Sequence, residues 1–268
     1  FTLTGPAFGR LGRRGVVGVL LCSWLWWRVG LFDGRLVWAD FVEGGRCLAA
    51  AELIRSGTTC FADNYFFPEA SARVIKQSKL RGQIACPVID FPTAWAQDAD
   101  EYIDKTIALA DLYRHDERVH IAFGPHSPYS VSDAPLSKIA TLAEELDIPI
   151  HMHVHETQAE VDAALAQDGM RPLARLANLG LLSPRLFCTH MTALTPQEIQ
   201  DVAGSGTQVA HCPESNLKLA RGLCPVEPLR PAGVTVAWRP AGLASTHELA
   251  IVACLRPAAH HPPAVANH

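Results

Sequence analysis

The chain has 268 residues, 49% hydrophobic and 19% charged, enough to bury one large core and too apolar for a disordered or fibrous protein. Its 23 basic and 27 acidic residues are mixed along the sequence and leave a formal net charge of −4, which excludes a basic stripe built to coat nucleic acid. The eight cysteines are scattered without a CxxC pair, the pattern of reduced, mostly buried thiols in a cytoplasmic protein.

The first feature along the chain is an apolar run over residues 15–27, flanked by Arg13, Arg14 and Arg28. It is shorter than the roughly 20 residues of a membrane span. No small-residue cleavage site follows it, so a signal peptide is not expected either. From residue 41 onward helical patterns alternate with short apolar runs. Residues 41–55 read as a helix stopped by Ser56 and Gly57, and 58–64 as a strand that carries Asp63 near its end. A helix over 68–80 precedes a strand over 83–90, and a helix over 98–114 precedes a strand over 119–126. The next helix, 133–146, takes Asp133 as its N-cap ahead of Ala134 and Pro135, and leads to a strand over 148–156. Helices over 157–167 and 171–179 come before a strand over 185–190. A helix over 195–203, opened by Thr195 and Pro196, is followed by strands over 207–213 and 233–238.

Seven apolar strands alternating with helices imply a parallel sheet covered by helices. Such a series fits an α/β fold of the (β/α)8 TIM-barrel type, incomplete because the first strand is missing or altered. The length agrees, since a barrel of this kind takes about 250 residues. An open doubly wound sheet is the alternative, but no glycine-rich nucleotide fingerprint follows any strand.

His126, His153, His155, His190 and His211 all fall at or near the C-terminal ends of predicted strands, the rim where barrel enzymes gather their catalytic groups. Strand alternation places His151, His153 and His155 on one face, with Glu156 at the strand end. Any one of these histidines alone is more often structural. Together they suit a metal hydrolase, because neutral imidazole holds zinc-class ions and the ion brings the pKa of bound water to about 7. A carboxylate beside it can carry the water proton to a leaving group. Asp63 reads as a turn cap or a site residue, and Asn216 as a loop anchor or a substrate contact. His115, His120, His260, His261 and His268 read as surface or tail residues.

The segments SGTTCFADNYFFPE (56–69), GPHSPYSVS (124–132), IHMHVHETQAEV (150–161), CTHMTALTPQEI (188–199) and VAHCPESNLKLARGLCPV (209–226) resemble the amidohydrolase superfamily. The likeness is nearest to the methylthioadenosine/S-adenosylhomocysteine deaminases and the triazine chlorohydrolases, and it spans residues 36–237. The resemblance implies a hydrolase that deaminates a small aminopurine nucleoside by attack of metal-activated water, with one divalent ion, usually zinc. It gives His153 as a metal ligand, Glu156 as proton shuttle and substrate contact, and His190 as the histidine that bonds the attacking water or reacting centre. His126 and Asn216 are assigned to substrate binding. Neither nucleic acid nor membrane is an expected partner, the setting is cytoplasmic, and self-association is left open. The alternatives are hydrolysis of a triazine or other C–N or C–Cl bond, and a catalytically inactive barrel fragment that lacks metal ligands.

Two departures bear on that last alternative. No His-x-His pair precedes residue 56, where the family's first strand supplies two ligands; the HxH patterns at 151–153 and 153–155 belong to a later strand. The stretch Arg239-Pro240-Ala241-Gly242 places Ala241 where the family has a metal-binding Asp, and Asp33 stands where a substrate-contacting Glu is expected. Trp24, Leu25, Gly34, Arg35, Gly242, Ala244, Ser245 and Leu249 keep family-like spacing around these gaps. A shifted reading frame or a decayed gene would account for that pattern, for the run at 15–27 and for the tail, and a divergent but intact gene would look the same. The chain accordingly divides into an atypical segment 1–35, a barrel domain 36–250 and an irregular tail 251–268.

Overall fold

The computed structural model describes residues 38–238. The apolar run at 15–27, Asp33, the stretch 239–242 and the tail lie outside them. Chain order is α1 (Ala39–Arg55), β1 (Cys60–Asn64), α2 (Pro68–Ser78), β2 (Arg81–Val88), α3 (Ala99–Leu112), β3 (Val119–Pro125), α4 (Asp133–Leu146), β4 (Ile150–Val154) and α5 (Gln158–Asp168). It continues with α6 (Pro172–Asn178), β5 (Leu186–His190), α7 (Pro196–Ser205), β6 (Gln208–His211), α8 (Pro213–Lys218), α9 (Val226–Leu229) and β7 (Val236–Trp238).

The strands pair in sequence order, each parallel to the next, and curl into an incomplete (β/α) barrel. Consecutive parallel strands need helical crossovers, and every expected helix is present between them. Both faces of the sheet are covered, which explains why β2 and β3 read as almost unbroken apolar runs. Phe123, Ile84, Met152, Leu136, Ile139 and Leu186 are fully buried in the shared core, while Ala50, Leu53, Val74 and Leu80 form a smaller cluster where α1 meets α2. No helix among the described residues is long and apolar enough to cross a membrane.

The terminators act as their chemistry dictates. Gly57 takes φ +80° just after α1, and Thr195 closes a reciprocal capping box with Glu198 at the start of α7. One cap differs from expectation: α4 already begins at Asp133, and Ser132 is its N-cap. The two short helices α8 and α9 had no periodic signal, being only about a turn long. At the end of β3, Gly124 lies so close to β2 that an added Cβ would meet the Cys86 carbonyl oxygen at 2.6 Å. That close approach sets the exit of β3 toward Pro125 and His126.

Candidate active site

The C-terminal ends of β3, β4 and β5 bring His126, His153 and His190 side by side. The His126 and His153 rings are 5.3 Å apart, and His153 stacks on His190 at 5.6 Å with planes 27° apart. His153 Nδ1 lies 2.9 Å from the His126 carbonyl oxygen. A carbonyl only accepts, so Nδ1 carries the proton and Nε2 presents its lone pair. Burial, reinforced by the neighbouring His126 and His190, holds the His153 pKa down at about 3, so the ring is neutral and chemically fit to be a ligand.

Glu156 follows β4 and faces this row, with Oε1 3.0 Å from His190 Nε2. Arg221, from the loop after α8, reaches the same oxygen. Burial works to raise the Glu156 carboxyl, but the His190 hydrogen bond and charge, with His153 and Arg221, outweigh it and hold the pKa at about 2. On the other side of the ring, His190 Nδ1 is 2.7 Å from Asn216 Oδ1 on α8, and Asn216 is fully buried. Turning the Asn216 amide end for end would give Nδ1 a donor from Nδ2, an atom that is otherwise buried without a partner. His126 Nδ1 lies 3.2 Å from both Ser127 Oγ and Ser130 Oγ, and burial keeps its pKa below the ordinary histidine value against the pull of Glu156.

All five residues singled out from the sequence, His126, His153, Glu156, His190 and Asn216, thus stand in one neighbourhood. His155 does not join them. The strand alternation breaks there because His155 takes φ +49°, and its buried ring accepts the Leu173 N–H at 3.3 Å and lies 3.8 Å from Glu198. His151 is fully buried with Nε2 2.9 Å from Thr189 Oγ1, and its ring lies 6.1 Å from that of His153. His211 ends β6 and is buried. Asp63 is a structural clamp, its Oδ2 accepting from Arg46 Nε and Ser71 Oγ at 2.6 Å each, which ties α1, β1 and α2 together.

Two residues at the site were not anticipated. Arg221 contacts Glu156 from 65 positions away, with no local signal to announce it. Glu160 bonds the backbone N–H groups of His155 and Glu156; its spacing in the pattern Thr157-x-x-Glu160 offered a helix-cap signal and nothing more.

His153 is the described residue that the resemblance gives as a metal ligand, and among the described residues no group of three His, Cys, Asp or Glu side chains is arranged to hold a metal ion. The donor set therefore does not fit a catalytic zinc, which takes about three protein ligands.

Comparison with known proteins gives the lineage. The sequence model of the Amidohydrolase family matches residues 13–264. The chain is 47% identical over 236 residues to a 5-methylthioadenosine/S-adenosylhomocysteine deaminase of Teredinibacter turnerae, covering 87% of this chain and 53% of that protein. A crystal structure of an adenosine deaminase from Xanthomonas campestris with bound zinc is similar at TM-score 0.85 and 45% identity, over 89% of this chain and 54% of that one. Atrazine chlorohydrolase from Arthrobacter aurescens complexed with zinc is similar at TM-score 0.77 and 26% identity, over 98% of this chain and 62% of that one. The chain spans about half the length of the curated relatives it matches. With its parallel strands and the family match across most of its length, this chain belongs to the amidohydrolase family.

Proposed function

We propose that the site serves hydrolytic deamination of an aminopurine nucleoside such as methylthioadenosine or S-adenosylhomocysteine. The observation that carries this is the Glu156 carboxylate, ionised and 3.0 Å from His190 Nε2, beside the stacked His153 ring at the strand ends. The names of the similar deaminases support the substrate class. In this scheme water adds to the amidine carbon, Glu156 takes the water proton, and the same carboxyl returns it to the departing nitrogen as ammonia leaves. Glu156 starts as a weak base because His190 and Arg221 hold it ionised, so substrate must loosen one of those contacts before the proton moves. His190, held from behind by Asn216, then orients the attacking oxygen, while His126 contacts the heterocycle.

The divalent ion that accompanies this chemistry in the zinc-bound relatives is not completed by residues 38–238, so no step is assigned to it. A cytoplasmic setting belongs to the same proposal, since the six described cysteines are all free thiols.

The test is release of ammonia from methylthioadenosine and S-adenosylhomocysteine, with and without added zinc chloride. Glu156→Gln should remove at least about a hundredfold of any turnover, the usual contribution of a general acid–base group. Full activity in that variant would refute the proton-transfer role. The resemblance to atrazine chlorohydrolase favours a second reading, displacement of chloride from a triazine. Chloride release from atrazine without ammonia release from either nucleoside would put that reading first. A folded chain inactive on all three would be a non-catalytic barrel.

A further inference from the structure

We propose that Glu160 is a positioning residue for Glu156 and does more than cap the helix it stands on. The role rests on Glu156 being the proton carrier of the site.

The sequence contains two Thr-x-x-Glu patterns, Thr157 to Glu160 and Thr195 to Glu198, each at the start of a helix. They are used differently. At α7 the box closes on itself: Thr195 Oγ1 accepts the Glu198 N–H at 3.2 Å, and Glu198 Oε2 accepts the Thr195 N–H at 2.8 Å. At α5 the first half is the same, with Thr157 Oγ1 accepting the Glu160 N–H at 3.0 Å. The Glu160 carboxylate, however, gathers three consecutive N–H groups. Oε1 takes that of His155 at 3.2 Å, Oε2 takes that of Glu156 at 2.8 Å, and Thr157 N–H also reaches the carboxyl. A helix cap needs only the last of these. The other two belong to the end of β4 and to the residue that faces the site.

The backbone there needs holding. His155 sits at φ +49°, a left-handed conformation that a non-glycine residue keeps only when its surroundings enforce it. That turn sends the His155 ring outward to Leu173 and Glu198 while Glu156 faces inward to His190. Glu160 fixes the N–H side of both residues. Thr192, just after β5, fixes the other side, its Oγ1 donating to the carbonyls of His155 at 3.0 Å and Glu156 at 3.1 Å. The residue that carries the candidate proton is therefore held at both its amide and its carbonyl, which fixes where its side chain starts.

The experiment compares Glu160→Gln and Glu160→Asp with Thr157→Ala, using 15N-labelled protein at pH 8. The backbone amide protons of His155 and Glu156 are the readout, joined by kcat and KM wherever turnover is measurable. Charge-assisted N–H bonds shift amide protons downfield, so both resonances should move upfield in Glu160→Gln and in Glu160→Asp, whose carboxyl is too short to reach. Thr157→Ala should lower stability and leave those two resonances in place. In turnover, Glu160→Gln should lower kcat about tenfold or more with KM nearly unchanged, as misplacement of a reacting group does. Unmoved resonances in both Glu160 variants, with stability loss matching that of Thr157→Ala, would overturn the proposal and make Glu160 a cap alone. Undiminished activity in Glu156→Gln would refute the proton-carrier role instead, and the amide shifts would still decide whether Glu160 fixes the strand end.

Discussion

Glu160 and His155, neighbours across one hydrogen bond, titrate in opposite senses. Burial, with the nearby Glu156 charge adding to it, pushes the Glu160 carboxyl up to about 7 against the hydrogen bonds that favour its charge. An unfolded glutamate titrates at about 4.3, so between those values the folded chain holds a proton that the unfolded chain has lost. The stability that Glu160 contributes is thus full below about 4.3 and is lost as pH rises through about 7. His155 runs the other way. Burial holds its pKa down at about 4, with Glu198 opposing and Arg171 assisting, so the unfolded chain takes up a proton below about 6.5 that the folded chain refuses. Its contribution is lost as pH falls from about 6.5 through 4. Glu160→Gln abolishes the first effect and leaves the second. Urea unfolding of parent and variant at pH 5 and pH 8 should therefore show the variant gaining relative to the parent at the higher pH, by on the order of 3 kcal/mol at most. A difference that does not change with pH would mean that Glu160 titrates as an unburied side chain.

At the scale of elements, the strands whose ends carry the site are shaped by a few unusual backbone positions. His190 and Met191 both take positive φ where β5 ends, as His155 does after β4, so each strand is turned sharply just where its candidate site residue is presented. β3 reaches the same rim through Gly124, whose Cα is pressed against the β2 backbone. Gly124→Ala should force those two strands apart, because the contacts at 2.6 Å and 2.9 Å are all to backbone atoms that cannot turn aside. The expected loss is about 3 kcal/mol, toward the upper end for overpacking, visible as a lowered midpoint in thermal unfolding. A midpoint unchanged within error would show that β2 and β3 can separate freely. The helices and strands themselves were legible because apolar periodicity and terminators such as Ser56-Gly57 and Thr195-Pro196 are local properties of the sequence. What escaped was non-local or backbone-borne. Two-residue alternation put His155 on the face of His153, and a positive φ that no pattern of residue types announces turned it away. Arg221 reaches Glu156 across a closure that only the assembled barrel creates.

For the molecule as a whole, the motifs and the ligand set point in different directions. His126, His153, Glu156, His190 and Asn216 were legible because each sits in a motif at a strand end or, for Asn216, just beyond one, and the fold gathers strand ends. Motif likeness is local, whereas a metal site is a property of several strands at once. His153 offers one neutral nitrogen, His190 and Asn216 are engaged with each other, and Glu156 is engaged by His190 and Arg221. The sequence supplies no His-x-His pair before residue 56, and the resemblance expects a metal-binding Asp where Ala241 stands. A single imidazole loses a divalent ion readily, since stable catalytic sites use about three protein ligands. After dialysis against metal-free buffer, elemental analysis should therefore find less than about 0.1 zinc per chain, against the three-ligand expectation of about one. His153→Ala should leave that low value unchanged. Retention of about one zinc per chain, lost on His153→Ala, would show that residues outside 38–238 complete a site around His153. In that event Glu156→Gln would become the decisive kinetic variant for the proposed deamination.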